Sequence, residues 1–219
     1  AINLDLPHQD RQTRENRDFL RNALRGERFS SRSVNRRATN LQISVRPLQT
    51  PHPPIYVAVY DRAAAEEAGR AGYRMFLSPL AGVSDMEAVS ALVDGFRLGQ
   101  KKAGLAHGED DIVAFCLAHA DPDHNRAVDT AHAAFNRHAL VRPTWVCRNF
   151  ESAMGLSYFL VGGPTILQRK LRQMSDIGIS HISLIPTFGG LTIESTLDTM
   201  QIMADTIAGR ADNSAPLQA

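Results

Sequence analysis

IYVAVYDRAAAEEAGRAGYRMFLSP, residues 55–79, decides the fold. IYVAVY (55–60) is a short apolar run rich in β-branched and aromatic residues, the pattern of a strand. It gives way to the Ala-rich DRAAAEEAGRAG, which reads as a helix ending at Gly72. YRMFLSP (73–79) then reads as a second strand. Strand, helix and strand of these lengths define a βαβ unit, in which both strands run parallel and the helix crosses over one face.

The same alternation continues downstream. SDMEAVSALVDGFRLGQKKAG (84–104) reads as a helix with Ser84 as its cap and Glu87 three residues on, a capping box. DIVAFCLAHA (111–120) is a third strand, followed by a helix from about Pro122 to Leu140. HISLIPTF (181–188) is a fourth, preceded by the helical PTILQRKLRQMSDIG and followed by the helical TIESTLDTMQIMADTIAG. The fold class is therefore α/β, with about four βα units. A closed (β/α)8 barrel needs eight strands and typically ~250 residues. The expectation is either a small open parallel sheet or part of a barrel.

Upstream, DRQTRENRDFLRNALRG reads as a helix with Asp10 as cap, an apolar stripe of Phe19, Leu20, Ala23 and Leu24, and Gly26 as its stop. Residues 27–54 are a polar, Pro-containing extended connection in which LQISV alternates as a short strand would. The whole, 1–219, reads as a single partial-barrel domain with a flexible tail at 209–219. Charge is uneven: residues 1–50 hold ten Arg against five acidic residues, while residues 51–219 hold fourteen basic against eighteen acidic. The basic segment has neither the interleaved aromatics of a single-strand binder nor a recognition-helix or zinc-finger pattern, so it reads as a solvated face and no nucleic-acid partner is expected.

Composition excludes several classes. At 43% hydrophobic and 21% charged, with a net charge of +1, the 219-residue chain has the makeup of a globular protein. No run approaches the ~18 apolar residues of a membrane span. The opening AINLDLPHQDRQTREN shows no basic n-region or apolar h-region, so the expected location is the cytoplasm. Two cysteines, Cys116 in an apolar run and Cys147 beside Trp145, cannot form a disulfide framework. There is no Walker loop, nucleophile elbow or GxGxxG.

PHPPIYVAVYDRAAAEEAGRAGYRMFLSPLAG and FLVGGPTILQRKLRQMSDIGISHISLIPTFGGL resemble the carboxy-terminal half of the luciferase-like flavin-dependent monooxygenases, and RQTRENRDFLRNALRGERF resembles that family's helix after the fourth strand. The resemblance covers about residues 10–208. It implies that the four strands stand where the fifth to eighth strands of a (β/α)8 barrel stand. It also implies a monooxygenase that uses reduced FMN from a separate reductase, or a deazaflavin, with O2 to oxidise a small organic substrate. The cofactor-binding residues it implies are Tyr60, Asp61 and Arg62 after the fifth strand, Ser78 and Pro79 after the sixth, and Phe188, Gly189 and Gly190 after the last.

This chain departs from the family at one of these turns. Asp61 and Ala64 stand where the family often places Ser or Thr beside the flavin phosphate; an Asp repels a phosphate, Ala donates nothing, and Arg62 offsets the loss in part. Gly162-Gly163-Pro164 resembles the family's Gly-Thr-Pro helix start and reads as architectural. The catalytic residues stay unassigned. His119, Asp121, Asp123 and His124 lack the spacing of a metal site and read as a strand end and helix caps, so no metal is expected. The second reading, from a different class, is a non-catalytic half-barrel that binds or oligomerises. In either case four strands of a barrel leave open edges and an apolar inner face, which predicts a homo-oligomer or a partner chain that completes the barrel.

Overall fold

In the computed structural model, residues 9–33, 36–77, 85–141, 149–179 and 181–209 are described. The chain divides into two compact units, Ala1–Ile55 and Tyr56–Ala219.

The first unit holds helix α1 (Gln9–Leu24) and an antiparallel hairpin of β1 (Phe29–Ser33) and β2 (Arg36–Leu41). Asp10 lies inside α1, so the helix begins before the cap that the sequence suggested. The strand expected at LQISV stops at Leu41; the connection over 27–54 instead carries a hairpin built from FSSRS and RRATNL. Phe19 packs edge-on to Phe29 at 5.2 Å, and the Arg36 guanidinium lies 3.8 Å from the Phe19 ring centroid. Arg36 also donates to Asn16 Oδ1 (3.1 Å) and to the Glu15 carbonyl (3.3 Å), which pins the hairpin to the Phe19 face of α1.

The second unit is a parallel sheet with helices. The strands are β3 (Tyr56–Ala58), β4 (Arg74–Leu77), β5 (Ile112–Ala120), β6 (Leu160–Gly162) and β7 (His181–Ile185). Between and after them run α2 (Arg62–Arg70), α3 (Met86–Lys102), α4 (His124–Val141), α5 (Phe150–Met154), α6 (Pro164–Asp176) and α7 (Ile193–Ile207). β4 pairs β3 on one side and β5 on the other; β5 pairs β7 from Val113 to Leu117 and β6 from Ala118 to Ala120, all in parallel. The four expected strands are present, and the three-residue β6 is added to them.

Side-chain alternation separates the two faces of the sheet. Met75, Leu77, Ala114 and Cys116 are buried. On the opposite face Val113 and Leu117 are buried, while Phe76 and Phe115, tilted at 55° with ring centroids 4.7 Å apart, stay half-buried, as do Ser183, in register with Phe115, and Ile185, in register with Leu117. In a closed barrel that second face would be the interior.

α2 and α3 pack closely because both are notched with glycine. A Cβ on Gly69 would overlap the Phe96 carbonyl, and one on Gly99 would overlap the Glu66 carbonyl. The α3 cap is Asp85, not Ser84, which lies outside the described residues: Asp85 Oδ1 accepts from the Ala88 N–H at 2.8 Å. Asp85→Ala should therefore cost about 1 kcal/mol, read by urea denaturation, with Asp85→Ser close to the parent. An equal loss for both substitutions would show that the cap contributes little.

Candidate functional site

Parallel α/β sheets bind ligands at the carboxyl ends of their strands. In the second unit those ends carry Tyr60 to Arg62 after β3, His119 to His124 at β5, Gly162 to Pro164 after β6, and Pro186 to Gly190 after β7.

After β3, Tyr60, Asp61 and Arg62 are all exposed. Asp61 has an extended backbone and caps α2, its Oδ1 accepting from the Ala64 N–H at 2.8 Å. The amide that would greet an incoming anion is thus already bonded to a carboxylate of the chain itself. The Arg62 side chain lies along α3, its Cγ within 2.8 Å of where a Cβ on Gly95 would sit. Ser78 and Pro79 lie outside the described residues.

After β7, Phe188 is 2% exposed and packs against Phe159, with ring centroids 6.2 Å apart. Phe159 in turn meets Phe135 and Phe150 edge-on. Gly189 adopts φ 59° against α4, and its carbonyl accepts from Arg137 Nε at 2.6 Å. The Phe188-Gly189-Gly190 turn is therefore fixed to α4 by an aromatic ring, a close backbone approach and an arginine.

The end of β5 carries an arrangement that the sequence reveals only in part. Asp121 binds Arg126 through two contacts of 2.6 Å, which holds its carboxyl below the usual range, and Asp123 Oδ1 caps α4 by accepting from the Asn125 and Arg126 N–H groups. His119 is buried, and burial lowers its pKa, favouring the neutral ring. Its Nδ1 lies 3.3 Å from Thr199 Oγ1 and 3.5 Å from Ser195 Oγ on α7, and Thr199 Oγ1 also accepts from the Ala120 N–H at 3.1 Å. A cavity of about 570 Å³ opens here, lined by His119, Asp121, Arg126, Thr130, Ser195 and Asp198 among others. HADPDH is conspicuous in the sequence, but its partners on α7 lie some eighty residues on and no local pattern joins them. Among the described residues no group of three or more His, Cys, Asp or Glu side chains is placed to hold a metal.

A parallel sheet of this order, covered by helices and open on one face, defines an α/β partial barrel. The chain belongs to the luciferase-like monooxygenase family, which it matches over residues 1–179. Among solved structures it is similar to monooxygenase RslO1 from Streptomyces bottropensis, with a TM-score of 0.84 at 23% identity over 94% of this chain and 62% of that one. It is also similar to the oxygenating constituent of 3,6-diketocamphane monooxygenase from Pseudomonas putida, in complex with FMN, with a TM-score of 0.73 at 12% identity over 92% of this chain and 63% of that one. A third likeness is to the coenzyme F420-dependent tetrahydromethanopterin reductase of Methanopyrus kandleri, with a TM-score of 0.61 at 14% identity over 89% and 60%. An uncharacterized protein of Sinorhizobium fredii, y4wF, is 23% identical over 206 residues, 88% of this chain and 59% of that one. The chain thus spans about six-tenths of the length of these relatives, and the fold is that of a luciferase-like barrel in part. Among the described residues no helix is long and apolar enough to cross a membrane.

Proposed function

We propose that this chain is the carboxy-terminal half of a luciferase-like, FMN-dependent monooxygenase that oxidises a small organic substrate, with reduced FMN supplied by a separate reductase. The observation that carries the reading is the fold: 92% of the chain superposes on a monooxygenase component solved with FMN. A deazaflavin is the second cofactor candidate, since an F420-dependent enzyme shares the same fold.

The residues fit the two ends of a flavin unequally. The half-exposed face of Phe76 and Phe115 suits a planar, largely apolar ring. The β3–α2 turn does not suit a phosphate, because Asp61 caps the helix there and no hydroxyl replaces it. Reduced flavin, when bound, supplies the oxygen-activating chemistry. The chain's own part is to hold the ring, with Ser78, Pro79 and the backbone at Gly189 and Gly190 framing it. Tyr60, Asp61 and Arg62 bound the ribityl-phosphate side, while Phe188 buttresses the turn after β7. Water is excluded by apolar surface, and that requires a homo-oligomer or a partner chain to cover the open face. The Asp61 cap is also the observation favouring the second reading, a non-catalytic half-barrel.

Titration of the chain with FMN and riboflavin, oxidised and reduced, followed by flavin fluorescence, separates the two. Saturable binding of reduced FMN is expected, and its absence would leave the non-catalytic reading. Asp61→Ser keeps a capping oxygen while removing the charge, so FMN should bind about two- to fivefold more tightly, for the ~0.5–1 kcal/mol of an exposed charge pair, with riboflavin unchanged. Equal changes for both ligands would show that the phosphate is not near this turn.

A further inference from the structure

The apolar alternation after β2 forms no strand and finds no cover. β2 ends at Leu41, and beyond it Ile43, Val45 and Leu48 are 38%, 81% and 97% exposed, three aliphatic side chains within six residues. A single exposed aliphatic is ordinary on a protein surface, whereas a cluster marks a place where something else docks. The segment is fixed by its polar members. Gln42 donates to the Gly26 carbonyl at 3.0 Å, and the Arg46 side chain passes 3.3 Å from where a Cβ on Gly26 would sit. The loop is thus anchored on the turn between α1 and β1 while its aliphatic side chains stand in solvent.

The charge around the loop is almost all of one sign. Residues 25–46 hold six Arg and one acidic residue, Glu27, and residues 47–55 hold neither. Arg36 is occupied by Phe19, Asn16 and the Glu15 carbonyl. Arg25, Arg28, Arg32, Arg37 and Arg46 are exposed, and among the described residues none of them forms an ion pair. Arg25 and Arg46 line one cavity of about 410 Å³ beside the Gly26 turn, with Glu27 on its wall. Arg32 and Arg37 stand directly opposite each other on the outward side of the hairpin, a register in which like charges repel unless an anion lies between them.

We propose that the β1–β2 hairpin and the loop after it form a docking surface for an anionic membrane. The arginines meet the headgroup phosphates and carboxylates, and Val45 and Leu48 enter the boundary with the acyl chains. The aliphatic cluster is what selects a bilayer over other polyanions. A nucleic acid would satisfy the arginines but leave Val45 and Leu48 in water. The only aromatics of residues 1–55, Phe19 and Phe29, pack on each other rather than offering a ring to a base. This inference goes beyond flavin binding and does not depend on it.

The test uses the full chain with vesicles of phosphatidylcholine, alone or mixed with phosphatidylserine, and reads binding by co-sedimentation. The mixed vesicles should bind at least about tenfold more tightly at low ionic strength, and salt should remove most of that preference. Arg32→Gln combined with Arg37→Gln should weaken binding to the mixed vesicles by about tenfold. Val45→Ser combined with Leu48→Ser should weaken it about fivefold or more while keeping the preference for phosphatidylserine. All four positions face solvent, so both double variants should keep the parent's circular dichroism melt. No binding, or equal binding to both kinds of vesicle, would overturn the proposal, as would either double variant binding like the parent. Glycerophosphoserine and poly-glutamate, each at the charge concentration of the vesicles, should displace nothing. Displacement by the first would assign the arginines to a free phosphate and by the second to an acidic protein, and either result would overturn the bilayer as partner.

Discussion

Gly189→Ala should destabilise the protein by roughly 3 kcal/mol, whereas Gly190→Ala, one residue on, should cost only about 1 kcal/mol. Both glycines have positive φ, 59° and 76°, so each substitution carries the strain of a left-handed alanine. The difference lies in what the new methyl meets. At Gly190 the nearest atom outside the turn is Arg137 Nε, at an ordinary 3.8 Å. At Gly189 a Cβ would overlap the Ala134 backbone, carbonyl oxygen included, in the middle of α4, where no side chain can rotate away. The turn after β7 would have to lift from α4. That movement would break the bond from Arg137 Nε to the Gly189 carbonyl and pull Phe188 from Phe159. For a chain of this size the melting temperature should fall by about 10 °C in Gly189→Ala and by a few degrees in Gly190→Ala, read by differential scanning calorimetry. Equal shifts would mean that backbone strain alone matters and that the approach to α4 is soft.

These two glycines also show where sequence reading stops. FGG after a predicted strand is visible as a tight turn, and the same letters suit a ligand site and an architectural one; only the position of Ala134, fifty-five residues earlier, shows that Gly189 is pressed on a helix. The apolar runs are legible because unbroken apolar, β-branched and aromatic segments of strand length leave a compositional mark: β3, β4, β5 and β7 all fall within their expected segments. The three-residue β6 was not, since Leu160–Gly162 is too short for a period to register. The hairpin was not legible for the opposite reason. FSSRS and RRATNL are polar and expose alternate residues, so nothing hydrophobic marks the strands, and the apolar alternation of LQISV drew the assignment a few residues downstream. At α3, Ser84 and Asp85 are both good caps in adjacent positions, and local sequence alone cannot choose between them. At the candidate site the substitution of Asp61 for a hydroxyl was readable as a departure, and the geometry gives it a role as a helix cap.

Lys170→Met should cost about 3 kcal/mol at pH 7 and should loosen one segment in particular. Nothing in QRKLRQ singles Lys170 out, yet among the described residues it is the one buried lysine, on the α6 face shared with Leu167 and Met174. Its ammonium donates to the carbonyls of Met154 (2.9 Å), Leu156 (3.1 Å) and Phe159 (2.6 Å). These acceptors end α5 and lead into β6, so one side chain ties the irregular stretch between them to α6. Methionine fills a similar volume but donates nothing, leaving carbonyls without their ammonium in a site that water does not readily reach. Amide exchange should therefore accelerate most from Gly155 to Val161 and least in β4 and β5. Titration supplies an independent signature. Burial, with a smaller contribution from Arg169, lowers Lys170 from its ordinary 10.5 to about 8. Between those values the unfolded chain holds more protons than the folded one, so the Lys170 contribution to stability rises as pH climbs from 8 toward 10.5, by at most ~3 kcal/mol. The buried Cys116 nearby has its thiol pushed up by burial and stays neutral across this window, so it supplies no counter-charge. The stability gap between parent and Lys170→Met, measured by urea denaturation at pH 7.5, 9 and 10, should consequently widen with pH. A gap that is flat or narrows would mean that the three carbonyls hold the ammonium so well that burial costs it nothing.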